Sequence, residues 1–187
     1  DNKDMWISHV ALQYLAQLKI KQERYEEAKE TAEKGLESIK KYGDRGTELP
    51  VRTNYLLALT QLGEFEHAAE ELQRCYGLIR STENHLYFLH VKTIEGYLFM
   101  KIGKHTDALQ SYITVCSATK SAPLPQSFKL TPLVYLLSLL VTLGSGDTPA
   151  KIVGFIENNA RGELLKNTPS EKAAESAAKE ELPGLLK

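Results

Sequence analysis

Three short segments decide the reading of this chain: Glu23-Arg24-Tyr25-Glu26-Glu27-Ala28, Gly63-Glu64-Phe65-Glu66-His67-Ala68 and Gly103-Lys104-His105-Thr106-Asp107-Ala108. Their alanines are spaced by 40 residues and again by 40, and the flanking sequence keeps that register. Gln22, Leu62 and Ile102 stand just before the turn, and Glu23, Gly63 and Gly103 occupy it. Glycine is what a helix end prefers where φ must be positive, because it carries no Cβ to clash. Tyr25, Phe65 and His105 open the following helix with a ring. The alanines come one turn later, where a small side chain lets two antiparallel helices approach closely. Ala32, Leu72 and Tyr112 continue that face four residues on. Leu18, Ala58 and Leu98 line the preceding helix.

The spacing predicts helical hairpins over 5–20 with 25–41, 49–62 with 65–80, and 83–102 with 105–120. Gly43-Asp44-Arg45-Gly46 separates the first two. Ser81-Thr82-Glu83 supplies an N-cap before the third. Ala122-Pro123-Leu124-Pro125 cannot be helix interior, since proline lacks a donor and clashes backward. Thr131-Pro132 and Thr148-Pro149 each read as a cap followed by a first-turn proline. They start the two helices of a degenerate fourth hairpin, the first ending at Gly144 and the second near Asn158. Thr168-Pro169-Ser170-Glu171 has the form of a capping box and opens a helix to about Leu182. The expected fold is all-α, a superhelical array of antiparallel hairpins with three regular repeats and a degenerate fourth within residues 1–160. Residues 161–187 are expected to form a C-terminal capping helix and tail, since a terminal repeat needs a polar outer face; a segment that docks elsewhere is the alternative.

The turn glycines, the aromatics Tyr25 and Phe65, and the three alanines resemble the tetratricopeptide repeat. Ala16 and Gly96 match that family's early small position, where the second unit has Leu56. Leu12, Arg52 and Lys92 depart from its tryptophan-like position, and the period of 40 departs from its usual length of about 34. The sequence is therefore similar to the long-helix versions of the family. The resemblance implies a protein-binding scaffold or adaptor whose first helices line a concave face. One subtype is not implied. Repeats that clamp acidic chaperone tails use converging cations and asparagines, and the matching positions here are Gln13, Gln17, Asn54, His90 and Ile94.

By register, the concave face includes Gln13, Gln17, Ile20 and Lys21, then Thr53, Leu57, Thr60 and Gln61, then His90, Thr93, Tyr97, Met100 and Lys101. Amides, hydroxyls and a few apolar contacts suit the backbone of an extended peptide. Gln13, Gln17, Asn54, Leu57, Tyr97, Met100 and Lys101 are the candidate partner-binding residues. Binding through the convex surface, self-association as an arm of a larger complex, and peptide sensing are alternatives. Trp6 and Tyr14 lie on the first helix, where exposed aromatics would serve as anchors.

Composition narrows the function further. The 187 residues carry 23 Lys and Arg against 24 Asp and Glu, a formal charge of −1, which argues against nucleic-acid binding by bulk charge. Cys75 and Cys116 are too few for a disulfide framework and read as buried thiols of an intracellular, cytoplasmic or nuclear, protein. No secretory signal pattern opens the sequence, and the most apolar stretch, 133–143, spans only about 16 Å as a helix. No membrane insertion is expected. The five histidines lack metal-ligand spacing, no glycine-rich phosphate loop follows a strand, and no Ser/His/Asp set presents itself. No enzyme activity, metal or cofactor is expected.

Overall fold

The computed structural model describes residues 2–82, 84–119 and 126–144, and every regular element among them is an α-helix. The chain divides into two compact units, Asp1–Ile94 and Glu95–Lys187. Unit 1 contains α1 (Asn2–Lys21), α2 (Tyr25–Tyr42), α3 (Glu48–Leu62) and α4 (Phe65–Thr82). The division falls within α5 (His85–Lys101), and unit 2 continues with α6 (His105–Thr119) and α7 (Gln126–Thr142).

The three turns that end α1, α3 and α5 are superimposable in their hydrogen bonding. Glu23, Gly63 and Gly103 all adopt positive φ, at 59°, 79° and 78°. The next amide reaches back five residues in each: Arg24 N–H to the Lys19 carbonyl at 2.9 Å, Glu64 to Leu59 at 3.0 Å, and Lys104 to Phe99 at 2.8 Å. This six-residue closure satisfies carbonyls that the helix end would leave bare. The following helix begins at once, with Ala28, Ala68 and Ala108 donating to the carbonyls of Arg24, Glu64 and Lys104. All three alanines are fully buried.

In unit 1, consecutive helices pack as hairpins, and α1 also packs on α3, the contact that stacks one hairpin on the next. Ala16, Ala32, Ile39 and Val51 form one core layer, and Ile20, Ala28 and Ala58 form another, with Leu57 and Tyr25 packed against it. Small residues dominate because the axes run close. Gly35 of α2 is an instance, since a Cβ there would come 3.1 Å from Val51. In unit 2, Ala108, Tyr112 and Leu139 form the core, flanked by Phe99, Met100 and Tyr135. There Gly96 lies flat against Tyr112: a Cβ would fall 2.6 Å from the ring.

Two boundaries and one packing position differ from the sequence reading. The cap before α5 is Asn84, whose Oδ1 accepts the Tyr87 amide at 3.2 Å; Ser81 and Thr82 instead donate their hydroxyls back to the Leu78 carbonyl and close α4. A hydroxyl that can reach its own helix does not have to cap the next one. α7 begins at Gln126, so Pro132 is inside it and not at its start. The bond lost at proline is offset by a buried face of Pro132, Val134, Leu137 and Leu139. Leu18 does not line the hairpin: it is 51% exposed. The expected second half of the fourth hairpin and the C-terminal capping helix lie outside the described residues, as does the Ala122–Pro125 break.

Candidate functional site

The expected peptide-binding face can be built in unit 1 from α1 and α3. Asn54 is buried and spends its amide donor on the Gln13 carbonyl, at 2.9 Å, which fixes α3 against α1. Gln13, Gln17 and Leu57 are half-buried beside that contact. Tyr14 is 61% exposed. Ile20, Thr53, Thr60 and Thr93 are buried, contrary to their reading as groove residues, and the three threonines donate to carbonyls four residues back in their own helices. A threonine so occupied has no hydroxyl proton left for a ligand.

The first turns of α5 add Tyr87 and His90, whose rings stack at 6.4 Å and 11°. Burial raises the Tyr87 phenol, and the Tyr14 phenol nearby adds to the shift. Burial pushes the His90 imidazole down to about 4, so the ring is neutral near pH 7. The face of unit 1 thus offers amides, phenols and a neutral imidazole. It can exchange hydrogen bonds with a peptide backbone without a demand for ligand charge.

The remaining candidates are in unit 2. Tyr97 is buried, with its ring 4.9 Å from that of Tyr135 and the Lys101 ammonium 5.3 Å above it. Met100 is half-buried against the unit 2 core. Lys101 is exposed. Tyr97 and Met100 therefore support the packing of α5 on α6 and α7, and Lys101 is the accessible one of the three.

The side of unit 1 formed by the second helices carries a different chemistry. Glu71 of α4 is fully buried and accepts from Arg52 Nη1 at 2.6 Å and Arg74 Nη1 at 3.0 Å. Arg52 also donates from Nε to Glu48 at 2.8 Å. Burial alone would lower the Arg52 pKa, but its hydrogen bonds to Glu71 and Glu48 outweigh it and the guanidinium is raised. Tyr55 donates to Glu33 at 3.0 Å, and burial together with that carboxylate pushes the phenol up to about 12. Lys29 of α2 pairs with Glu64 at the end of the second hairpin's turn. These contacts tie α2, α3 and α4 together at fixed spacing. A cleft of about 650 Å³ opens over them.

A Ser/His/Asp set is present after all, assembled from α1, α2 and the turn after α2. His9 is fully buried; its Nδ1 meets Asp44 Oδ2 at 2.9 Å and its Nε2 meets Ser38 Oγ at 2.9 Å. A neutral ring protonated on Nδ1 satisfies both contacts. Burial would raise the Asp44 carboxyl, but hydrogen bonds from Thr47, His9 and the Thr47 and Gly46 amides outweigh it and hold it below the usual range. The arrangement has the hydrogen-bond order of a catalytic triad and lacks its other half. Ser38 is in the interior of α2, where the neighbouring amides are consumed by the helix, so no backbone donors converge on an oxyanion. The chain of bonds pins the α2–α3 turn to α1. Sequence spacing gave no sign of it, because its members are 29 and 35 residues apart and meet only when the hairpin closes.

The thiols are no better suited to catalysis. Burial, with Glu71 nearby, pushes Cys75 up to about 12, and burial pushes Cys116 up to about 11, so neither is a thiolate near neutral pH. No group of three or more His, Cys, Asp or Glu side chains among the described residues is arranged to hold a metal ion. No described helix is long and apolar enough to cross a membrane.

Residues 11–42, which span most of the first hairpin, match the family model described as tetratricopeptide repeat. Tetratricopeptide repeats are generally protein–protein interaction modules. No curated protein matches the chain significantly.

Proposed function

We propose that this chain, which carries a tetratricopeptide repeat, is a non-enzymatic scaffold that holds a partner peptide against the first-helix face of unit 1. Gln13, Gln17 and Leu57 make the contacts, with Tyr14, Tyr87 and His90 beside them. Asn54 acts by fixing the Gln13 backbone. In unit 2, taken by itself, Lys101 is an accessible cation, while Tyr97 and Met100 act through packing. The observation that carries this reading is the Gln13–Gln17–Tyr14 surface of α1: solvent-accessible hydrogen-bonding side chains on a helix whose backbone is locked by Asn54. Preorganised donors and acceptors lose little freedom on binding. The test is a Tyr14→Ala/Gln17→Ala variant. Both side chains can be removed with little cost to the core, and the affinity for a captured partner should fall at least tenfold with unfolding unchanged; equal affinity overturns the assignment.

A second reading has its own support. Ile7, Tyr14, Leu15 and Leu18 share one face of α1 at helical spacing and are between 43% and 61% exposed. Such a stripe suits the arm of a larger assembly, which packs another helix there. A Leu15→Glu/Leu18→Lys variant that loses its partner while Gln17→Ala retains it would favour this reading.

A further inference from the structure

The cleft on the second-helix side of unit 1 is not used by the first-helix face, and its construction is that of a site. It lies between α2 and α4 over the N-terminal half of α3, and the α2–α3 turn closes one end. Leu36, Ile39 and Tyr55 supply its apolar surface. Its polar floor is already satisfied: Tyr55 is held by Glu33, and Arg52 is held by Glu48 and Glu71. Its rim is not. Glu37, Lys40 and Arg45 line the cleft, are exposed, and make no ion pair or side-chain hydrogen bond among the described residues.

The unpaired charges are sorted along the cleft, since Asp44 is spent on His9 and Thr47 and Glu48 on Arg52. Glu33 and Glu37 form an acidic end, with the second oxygen of Glu33 unused by Tyr55. Lys40 and Arg45 form a basic end beside the turn. Glu33 and Lys40 are seven residues apart on one helix, so the two ends are separated by about 10 Å. An extended chain covers that distance in three residues, at about 3.3–3.6 Å each. A helix needs seven residues for it. Ordering three residues costs less conformational entropy than ordering seven, which favours the extended form.

We propose that this cleft is a second binding site, for an extended segment of a partner protein that carries a basic and an acidic residue three positions apart. The basic residue pairs with Glu33 and Glu37, and the acidic residue pairs with Lys40 and Arg45. Leu36, Ile39 and Tyr55 take the apolar stems between them. Rim charges of this kind set selectivity and association rate more than affinity, so binding weakens as salt screens them.

The test is a selection of random heptapeptides displayed on phage against the full chain, run in parallel on a Glu37→Lys/Lys40→Glu variant. Both substitutions are at exposed positions, and circular dichroism checks that the variant folds. The wild type should enrich peptides with opposite charges three apart in one fixed order. Those peptides should bind the variant at least tenfold more weakly, because each end of its cleft then carries one charge of either sign. Selection of no peptide, selection of peptides without that spacing, or equal binding to both proteins overturns the proposal. So does binding that Tyr14→Ala/Gln17→Ala abolishes, because the peptide would then occupy the first-helix face.

Discussion

Alanine in place of three helix glycines should have three different effects, and the difference measures packing directly. Gly77, in the interior of α4, has nothing within 4 Å of where a Cβ would stand. Gly77→Ala therefore gains only the helix preference of alanine, about 1 kcal/mol. Gly96, in the interior of α5, gains the same preference and meets three ring atoms of Tyr112, at 2.6, 2.9 and 2.9 Å. Tyr112 is fully buried and its ring stacks 6.2 Å from that of Tyr135, so it has little room to retreat. Overpacking costs about 1–3 kcal/mol, and contacts this short belong in the upper half of that range. Gly96→Ala should be destabilised by about 1–2 kcal/mol net, and the two variants should differ by about 2–3 kcal/mol. Gly35 is intermediate, with one contact at 3.1 Å to Val51, and its alanine variant should be near neutral. Urea unfolding followed by circular dichroism gives all three values. A Gly96→Ala/Tyr112→Leu double variant should recover most of the loss through its interaction energy. If Gly96→Ala is as stable as Gly77→Ala, the close approach of α5 and α6 is wrong.

Glu23→Gly should stabilise the chain by about 0.5–1 kcal/mol: it removes the strain of a non-glycine residue at φ 59°, about 1–2 kcal/mol, and returns part of it as unfolded-chain entropy; a lower urea midpoint would contradict this. Glu71→Ala leaves Arg52 without its buried partner and should cost about 3–5 kcal/mol, of which Arg52→Met in the same chain restores a large part. His90 and Asp44 both make stability depend on pH. His90 has its folded pKa depressed to about 4, so the unfolded chain binds the extra proton between pH 6.5 and 4, and stability falls as pH drops through that window. Asp44 is also depressed, so its contribution is present above the usual carboxyl range and lost as pH falls through its lower folded value. A His90→Gln variant should flatten the first slope and leave the second; an unchanged profile would contradict the burial of that ring.

The parts of the fold legible in the sequence were those with local causes. Gly63 and Gly103 announce a positive φ, and the alanines announce a close helix crossing, so the hairpins could be placed from spacing alone. Glu23 was legible only through the other two turns, because nothing about a glutamate signals that conformation. Boundaries failed where two local options compete. Ser81 and Thr82 can cap forward or bond backward, and the sequence does not record which hydroxyl acceptor is nearer. Pro132 reads as a helix start until the buried face of α7 is known to outweigh it. The candidate residues were legible as helix positions and not in roles. Register identified Asn54 and Tyr97, and only the folded chain shows that one is spent on the Gln13 carbonyl and the other lies under Tyr135. The Ser38–His9–Asp44 chain and the charged cleft left no local mark, because their members come from separate helices and a turn.

Unit 1 is proposed to bind a partner through the α1 surface around Gln17. The most direct measurement is capture from a cell extract with wild type and with Tyr14→Ala/Gln17→Ala, quantified by mass spectrometry at matched folded concentration. At least one protein should be recovered with wild type and reduced tenfold or more with the variant, and a peptide from it should bind wild type alone. Recovery of the same proteins in the same amounts by both would contradict the claim.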